Sequence, residues 1–377
     1  MHPTTPTIHV KNIVVGAGYS GAVIAERLAS QLNEPVLVLD KKPHIAGNSY
    51  DYKDENGIHI HKYGSHIFHT QSDEVWAYLR QFTQFNTYMH TVIAVIDGIE
   101  TTIPFNFNTL HDVFPAQLAN RLEAKLLEQF RYNSRVPILE FKKLNDPDLE
   151  FLADYIYEKV FLHYTTKQWG VKPDEVDGSV TARVPVLISR DSRYFQDKYQ
   201  GIPTQGYTQL IANMLNHPNI TVQLETDWHA VQASYTYERL FYTGPIDAYF
   251  NYEFGQLPYR SIYFETETLD QEFYQAGAVV NYPNNYDFTR IHEYKHYLGD
   301  KSPKTVIARE YSEPFVLGKN DPYYPIPNEA NAALFKAYAD KAKQLEHVYF
   351  LGRLADYKYY DMDKAVARAL KVFKGLL

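Results

Sequence analysis

The sequence predicts an α/β fold of several domains: a parallel α/β unit, an inserted helical domain and an antiparallel sheet domain. Three observations predict it. The chain has 377 residues, more than the roughly 250 to 300 at which one hydrophobic core stops growing. Within residues 10–39 a β-branched run, a Gly-rich turn, a helical apolar repeat and a second apolar run follow one another, the order of a β-α-β unit. Further on, a block of helical spacing precedes a block of strand alternation, as expected when helices and sheet segregate.

Residues 10–15 are rich in Val and Ile, and residues 19–32 carry Val23, Ala25, Leu28 and Ala29 at helical spacing. Pro35 punctuates, and residues 36–39 form a continuous apolar run, so the two strands should be parallel and buried. Residues 58–68 alternate and are rich in turn formers; residues 87–107 read as two strands joined by Asp97-Gly98, a hairpin pair. Helical spacing covers residues 118–132 and 149–164, broken by Pro137 and by Asn145-Asp146-Pro147. Residues 171–182 are acidic, hold Pro173 and Gly178 and have weak periodicity, which reads as a loop long enough to move. Strand patterns return at 184–188, 221–224, 239–243 and 261–265, expected as a second, largely antiparallel sheet. The chain closes with a strand at 348–351 running into Gly352 and a helix at 363–373 with Ala365, Val366, Ala369, Leu370 and Phe373 on one face.

Composition removes several functions. With 45 acidic against 37 basic residues the net charge is −8, and no basic block breaks the balance, so neither nucleic acid nor an anionic membrane is an expected partner. Cysteine is absent, which removes disulfides, thiolate metal sites and cysteine nucleophiles. The polar start and apolar runs of about five residues lead us to expect a cytoplasmic protein without a membrane span. The 33 Tyr, 21 Phe and 3 Trp make up 15% of the chain, an excess that suits packing and also walls around a polar, ring-containing ligand.

Gly16-Ala17-Gly18-Tyr19-Ser20-Gly21 follows a strand and opens a helix, and Asp40 ends the next strand 19 residues after Gly21. Gly16 permits the tight turn, Gly18 lets a pyrophosphate approach the backbone, Gly21 lets helix and strand pack, and the N–H groups at the helix start, Ser20 among them, receive the anion. Asp40 accepts from a ribose hydroxyl. FAD and NAD both use this fingerprint; Gly352-Arg353 before the last helix and Tyr242-Thr243-Gly244 after an apolar strand suggest a chain returning to hold a long cofactor. His59, His61, His66 and His69 lie close in sequence, but no acidic residue falls between Ile58 and Thr70 and no H-E-x-x-H is present, so no metal site is expected. Arg183, Arg260 and Arg290 are candidate phosphate forks, which a chain of negative net charge must concentrate locally.

Beyond these local readings, the chain resembles bacterial UDP-galactopyranose mutases. The resemblance rests on Gly16 to Gly21, Ala46-Gly47-Asn48, His61-Lys62-Tyr63-Gly64, His66-Ile67-Phe68-His69-Thr70, Tyr164-Thr165-Thr166-Lys167-Gln168-Trp169 and Arg193-Tyr194-Phe195. It continues through Tyr242-Thr243-Gly244-Pro245, Thr289-Arg290-Ile291-His292-Glu293, Tyr323-Tyr324-Pro325, Gly352-Arg353-Leu354 and Asp361-Met362-Asp363. It implies a Rossmann-type FAD-binding domain over 1–86, 204–250 and 305–377, an inserted helical domain over 108–180 and an antiparallel substrate domain over 87–107, 181–203 and 251–304. The implied reaction interconverts UDP-galactopyranose and UDP-galactofuranose: N5 of reduced flavin attacks the anomeric carbon, UDP leaves, the sugar opens through an iminium, and reclosure gives the five-membered ring. No protein nucleophile is required, consistent with a chain that has neither cysteine nor a G-x-S-x-G elbow.

By the same resemblance Arg183 and Arg260 clamp the diphosphate, with Arg183 on a closing loop, and His69 stands beside the reactive part of the flavin. Tyr324 and Tyr359 bind the phosphates; Tyr194, Asn281, Arg290 and His90 are further substrate contacts; Phe161, Tyr164, Thr165 and Trp169 form the uridine pocket. Asn48, His66, Arg353, Tyr360, Asp361 and Met362 join Gly16, Gly18, Ser20, Gly21 and Asp40 in holding FAD. An electron donor such as NAD(P)H and a homodimer are also implied, as is a role in cell-wall or surface polysaccharide biosynthesis. Ala46, Leu351, Val160 and His90 depart from residues found at these places in the family. The competing reading is an FAD-dependent oxidoreductase of the amine-oxidase type, which shares the fingerprint and the Gly-Arg segment.

Overall fold

The computed structural model describes residues 7–170, 185–326 and 328–377. Its first sheet has five parallel strands in the order Ile220–Gln223, Val36–Leu39, Ile8–Val15, Tyr235–Tyr242 and Val348–Phe350. Val36–Leu39 is buried along its whole length, as a strand covered on both faces must be. The helix Tyr19–Leu32 buries Val23, Ala25, Leu28 and Ala29 and packs on the helix Met362–Lys374, which buries Val366, Ala369, Leu370 and Phe373. The chain therefore returns to the first β-α-β unit with its last helix.

The second sheet runs Tyr324–Pro325, Tyr259–Leu269, Thr305–Pro314, Arg290–Glu293, Val279–Asn281, Val92–Ile96 and Ile99–Ile103. Neighbours are antiparallel except Val279–Asn281 beside Val92–Ile96, which are parallel. At the hairpin joining the last two, Asp97 and Gly98 have φ of 50° and 84°, both positive, as a two-residue turn between right-twisted strands requires.

Three strand expectations drawn from local pattern are corrected. Residues 221–224 and 239–243 join the parallel sheet, one at its edge and one beside Ile8–Val15, because the helix-containing crossover before a strand, rather than the strand's own residues, selects its partner. Of residues 184–188, Val186–Leu187 pairs with Arg135–Val136 instead of entering the large sheet.

After Ile99–Ile103 in the chain come the helices Ala116–Gln129, Ile138–Lys142 and Pro147–Ile156, the third packed on both others. Asp146 caps the third through the N–H groups of Asp148 and Leu149, with Pro147 in the first turn where no donor is needed. A π-helical segment, Tyr157–Leu162, leads into His163–Trp169, which ends at Gly170 with φ of 67°. The expected moving loop lies outside the described residues. No helix among the described residues is long and apolar enough to cross a membrane.

Candidate functional site

The Gly-rich turn opens onto a cavity of about 740 Å³. Gly16, Gly18, Ser20, Asp40, Asn48, His66, Arg353, Tyr360, Asp361 and Met362 all line it, so residues from both ends of the chain converge there. Gly21 lies beneath: a Cβ on it would stand 1.8 Å from Gly16 O, which makes it the contact between helix and strand. Gly16 itself has φ of +106°, and a Cβ there would stand 2.0 Å from Thr243 Oγ1, whose hydroxyl donates to Val15 O. The turn is thus locked by the strand Tyr235–Tyr242 next door.

Gly18 caps the helix Tyr19–Leu32 with no side-chain acceptor, leaving first-turn N–H groups for an anion. Asp40 Oδ2 accepts from Ala17 N at 2.7 Å and Oδ1 from Lys42 N at 2.9 Å; each oxygen retains a lone pair for a further donor. Gly47 has φ of +55°, and a Cβ on it would stand 3.2 Å from Gly18 Cα, so the turn Gly47–Ser49 that carries Asn48 fits against the Gly-rich loop only with glycines. At the other end Arg353 donates from Nε to Tyr360 O at 3.1 Å, beside the start of Met362–Lys374. His66 is held on every side: its N–H donates to His61 Nδ1, its carbonyl accepts from Tyr207 Oη at 2.9 Å, and its Nδ1 pairs with Gly64 O at 2.7 Å. Burial lowers its pKa to about 4, so the ring is neutral at pH 7. An acceptor carboxylate, a helix start with open N–H groups and an arginine beside a second helix start, all lining one cavity, fit a dinucleotide such as FAD.

The antiparallel sheet brings together a second group. Arg260 is the register partner of Tyr324, and Arg290 that of both Glu310 and Asn281. Arg260 is buried, with Nε donating to Gln168 O and Nη2 to Ser312 Oγ, each at 3.1 Å. Arg290 Nε donates to Glu310 Oε1 at 2.9 Å, and His292 Nε2 to Oε2 at 2.9 Å. Burial keeps His292 neutral, so the ion pair is Arg290 with Glu310, and Ser65 Oγ can donate to the bare His292 Nδ1. Burial pushes the hydroxyls of Tyr164, Tyr194 and Tyr324 up, and the Arg290 charge offsets part of this. Tyr324 and Tyr359 stack at 5.4 Å, and the Arg353 guanidinium lies over both rings at 5.5 Å. Arg353 is therefore the shared wall between cavity and cleft.

Phe161 and Thr165 are buried on the π-helical segment and the helix after it, the latter beside Tyr164. Asn281 is buried and its Oδ1 has no partner among the described residues. His69 pairs through Nδ1 with Asp197 at 2.5 Å and stacks on Phe195 at 3.6 Å; it does not line the cavity. His90 lies 6.0 Å from Phe195, edge-on to Tyr194 and bonded to Tyr88 Oη at 3.1 Å. Arg183 and the Trp169 side chain lie outside the described residues. Among those residues no group of three or more His, Asp or Glu is disposed to hold a metal ion.

Glu310 was missed by sequence reasoning. Its signal was a carboxylate in phase with Val306 and Ala308 on the buried face of Thr305–Pro314, where an unpaired charge would be costly. Thr243 as the lock on Gly16, and Tyr207 as the donor to His66, carried no local signal.

A parallel sheet with a Gly-rich cradle, joined through Arg353 to a group of arginines and tyrosines on the antiparallel sheet, has the build of a dinucleotide-binding protein. Residues 14–82 match an NAD(P)-binding Rossmann-like domain, and residues 159–359 match UDP-galactopyranose mutase. The chain belongs to the UDP-galactopyranose mutase family, and is an enzyme of the isomerase type. It is 38% identical over 366 residues to the probable UDP-galactopyranose mutase of Klebsiella pneumoniae, covering 96% of this chain and 93% of that one. It is 35% identical over 370 residues to the dTDP-fucopyranose mutase of Escherichia coli, covering 96% and 97%. A crystal structure of reduced UDP-galactopyranose mutase has the same fold, with a TM-score of 0.72 at 16% identity over 98% of this chain and 94% of the other.

Proposed function

We propose that this protein interconverts UDP-galactopyranose and UDP-galactofuranose with FAD bound in the cavity. The observation that supports the reading is Arg353, which lines the cavity and also lies over the rings of Tyr324 and Tyr359. Reduced FAD, held there by the Gly-rich turn, Asp40 and Arg353, would supply a nucleophilic nitrogen for the anomeric carbon, so that the sugar could rearrange with no net redox change.

What the chain contributes is placement and charge. Arg260 and Arg290 approach from neighbouring parts of one rigid sheet, and their positive charge favours departure of a diphosphate most strongly where water is excluded. Tyr324 and Tyr359 present hydroxyls beside them, and Arg183 adds its charge from the loop. Tyr164, Thr165 and Phe161 receive uracil, where stacking is worth about 1 to 3 kcal/mol per base. Tyr194, Asn281 and His90 face the sugar, and His69, held by Asp197, completes the wall on that side. The Gly-rich turn and the helix start after it hold the FAD pyrophosphate, Asp40 the ribose, and His66, Asn48 and Tyr360 to Met362 the flavin end. A donor such as NAD(P)H reduces the flavin, and a cytoplasmic homodimer acting in surface polysaccharide biosynthesis is the setting that family membership supports.

The test is to incubate the purified protein with UDP-galactofuranose, with and without dithionite, and follow UDP-galactopyranose by chromatography. Conversion only after reduction is expected, and Arg260→Ala should abolish it while flavin absorbance stays. Turnover that consumes an electron acceptor would favour the amine-oxidase reading. A preference for dTDP-fucopyranose would move the substrate to the chemistry of the second relative.

A further inference from the structure

Lys167 makes an unusual set of contacts for a lysine. Its Nζ donates to three main-chain carbonyls, Tyr282 O at 2.5 Å, Tyr286 O at 3.0 Å and Phe288 O at 3.0 Å. An ammonium has three N–H donors, so these contacts use all of them. All three carbonyls belong to the loop 282–288, which joins Val279–Asn281 to Arg290–Glu293. The loop folds on its own rings, with Tyr282, Tyr286 and Phe288 mutually packed at 5.0 to 5.1 Å, while its carbonyls gather on the ammonium. A second tie joins the same loop to the π-helical segment, from Asn284 Nδ2 to Lys159 O at 2.9 Å.

Lys167 also lies three residues after Tyr164 in the helix His163–Trp169, so the two share a face. One residue later, Gln168 O accepts from Arg260 Nε at 3.1 Å and from Ser312 Oγ at 2.6 Å. The helix assigned to the base is therefore fastened to the loop between Asn281 and Arg290 at one point and to the diphosphate arginine at the next. Burial draws the Lys167 ammonium down to about 8, with Asp287 opposing; a partly desolvated cation held by carbonyl dipoles depends on all of them being in place.

We propose that Lys167 is a positioning residue that locks the base-binding helix to the sugar-side loop, setting the span between Tyr164 and Arg290 and so the length of nucleoside diphosphate sugar the cleft accepts. The inference rests on the UDP-sugar reading of the cleft. A point donor shared by three carbonyls is not replaced by a planar guanidinium fork, so Lys167→Arg should be impaired as well as Lys167→Met.

The experiment measures UDP binding to the FAD-loaded wild type, Lys167→Met, Lys167→Arg and Asn284→Ala by calorimetry, together with flavin spectra, Tm and, for UDP-galactofuranose, KM and kcat. Loss of charged hydrogen bonds should weaken UDP binding about tenfold or more in Lys167→Met, and a few-fold in Lys167→Arg and Asn284→Ala. KM should rise more than kcat falls, with flavin spectra near wild type and Tm lowered by the lost intrachain bonds. A purely structural role would lower Tm and kcat together at unchanged Kd for the folded protein, and that result overturns the proposal. Should Lys167→Met not fold, the other two variants decide it in the same way. Wild type that binds UDP, with all folded variants binding equally, refutes the role of Lys167; wild type that binds no UDP refutes the reading of the cleft instead.

Discussion

Glu310→Gln is the most informative single change. Glu310 is 5% exposed and meets Arg290 Nε, His292 Nε2 and Thr289 Oγ1 at 2.9, 2.9 and 3.2 Å. Burial alone would raise its pKa, but the Arg290 charge and the His292 hydrogen bond overcome this and hold it down to about 2, from an ordinary 4.5. The unfolded chain takes up the proton near 4.5 and the folded one only near 2, so the stabilisation is fully present above 4.5 and is lost as pH falls through the folded value. Its size is about 3 kcal/mol above pH 5, about 2 kcal/mol at pH 3.5 and close to nothing at pH 2. Glutamine removes the charge and also sets an amide N–H₂ against the His292 N–H, which adds to the loss at every pH. The assay is guanidinium unfolding followed by tryptophan fluorescence at several pH values. The gap between wild type and Glu310→Gln should be largest at pH 7, unchanged at pH 5 and smaller at pH 3.5. A gap below about 1 kcal/mol at pH 7, or one that does not shrink on acidification, would refute the ionised pair.

Two further outcomes follow from the same reasoning. Ala46 is buried with φ of +71°; relief of left-handed strain in Ala46→Gly is offset by the lost methyl and the looser unfolded chain, so Tm should move little, within about 1 kcal/mol. Ala46→Val puts a β-branched side chain in the same conformation beside Gly47 and should cost more than about 2 kcal/mol and weaken FAD retention, read from the ratio of flavin to protein absorbance. Burial, and then the Arg290 charge, lower His90 to about 3. A histidine kept neutral in the fold stabilises it above pH 6.5 and loses that contribution as pH falls towards 3. His90→Asn should therefore lose about 2 kcal/mol less than wild type between pH 7 and pH 5, measured from unfolding midpoints at the two pH values.

The parts of the fold legible in the sequence are those whose signal is local. The turn Gly16 to Gly21, the apolar strand after Pro35, the Asp97-Gly98 hairpin and the amphipathic last helix each declare themselves within a few residues, because φ, period and capping are set by neighbours in the chain. The strand patterns at 221–224 and 239–243 were visible, but alternation alone suggested the second sheet, and only the resemblance put 204–250 with the parallel one. A short strand's alternation reports which faces are buried and carries nothing about which strand lies beside it. The segment around Tyr164 to Trp169 was recognisable through family resemblance, while the carbonyl cage around Lys167 was not, since its three acceptors lie more than a hundred residues away and are main-chain atoms that no side-chain pattern encodes.

By itself the sequence determined the class of ligand at the first site, since only glycine tolerates the φ at Gly16 and the clearance at Gly21. Through the resemblance it also nominated arginines and tyrosines for the nucleotide-sugar site proposed above. Tertiary structure alone decided how these meet. Register across Tyr259–Leu269, Thr305–Pro314 and Arg290–Glu293 brings Arg260 to Tyr324 and Arg290 to Glu310, and the return of the last strand and helix carries Arg353 between cavity and cleft. Those contacts depend on strand pairing and domain packing summed over the whole chain, where each residue's partner is chosen by the burial of all the others.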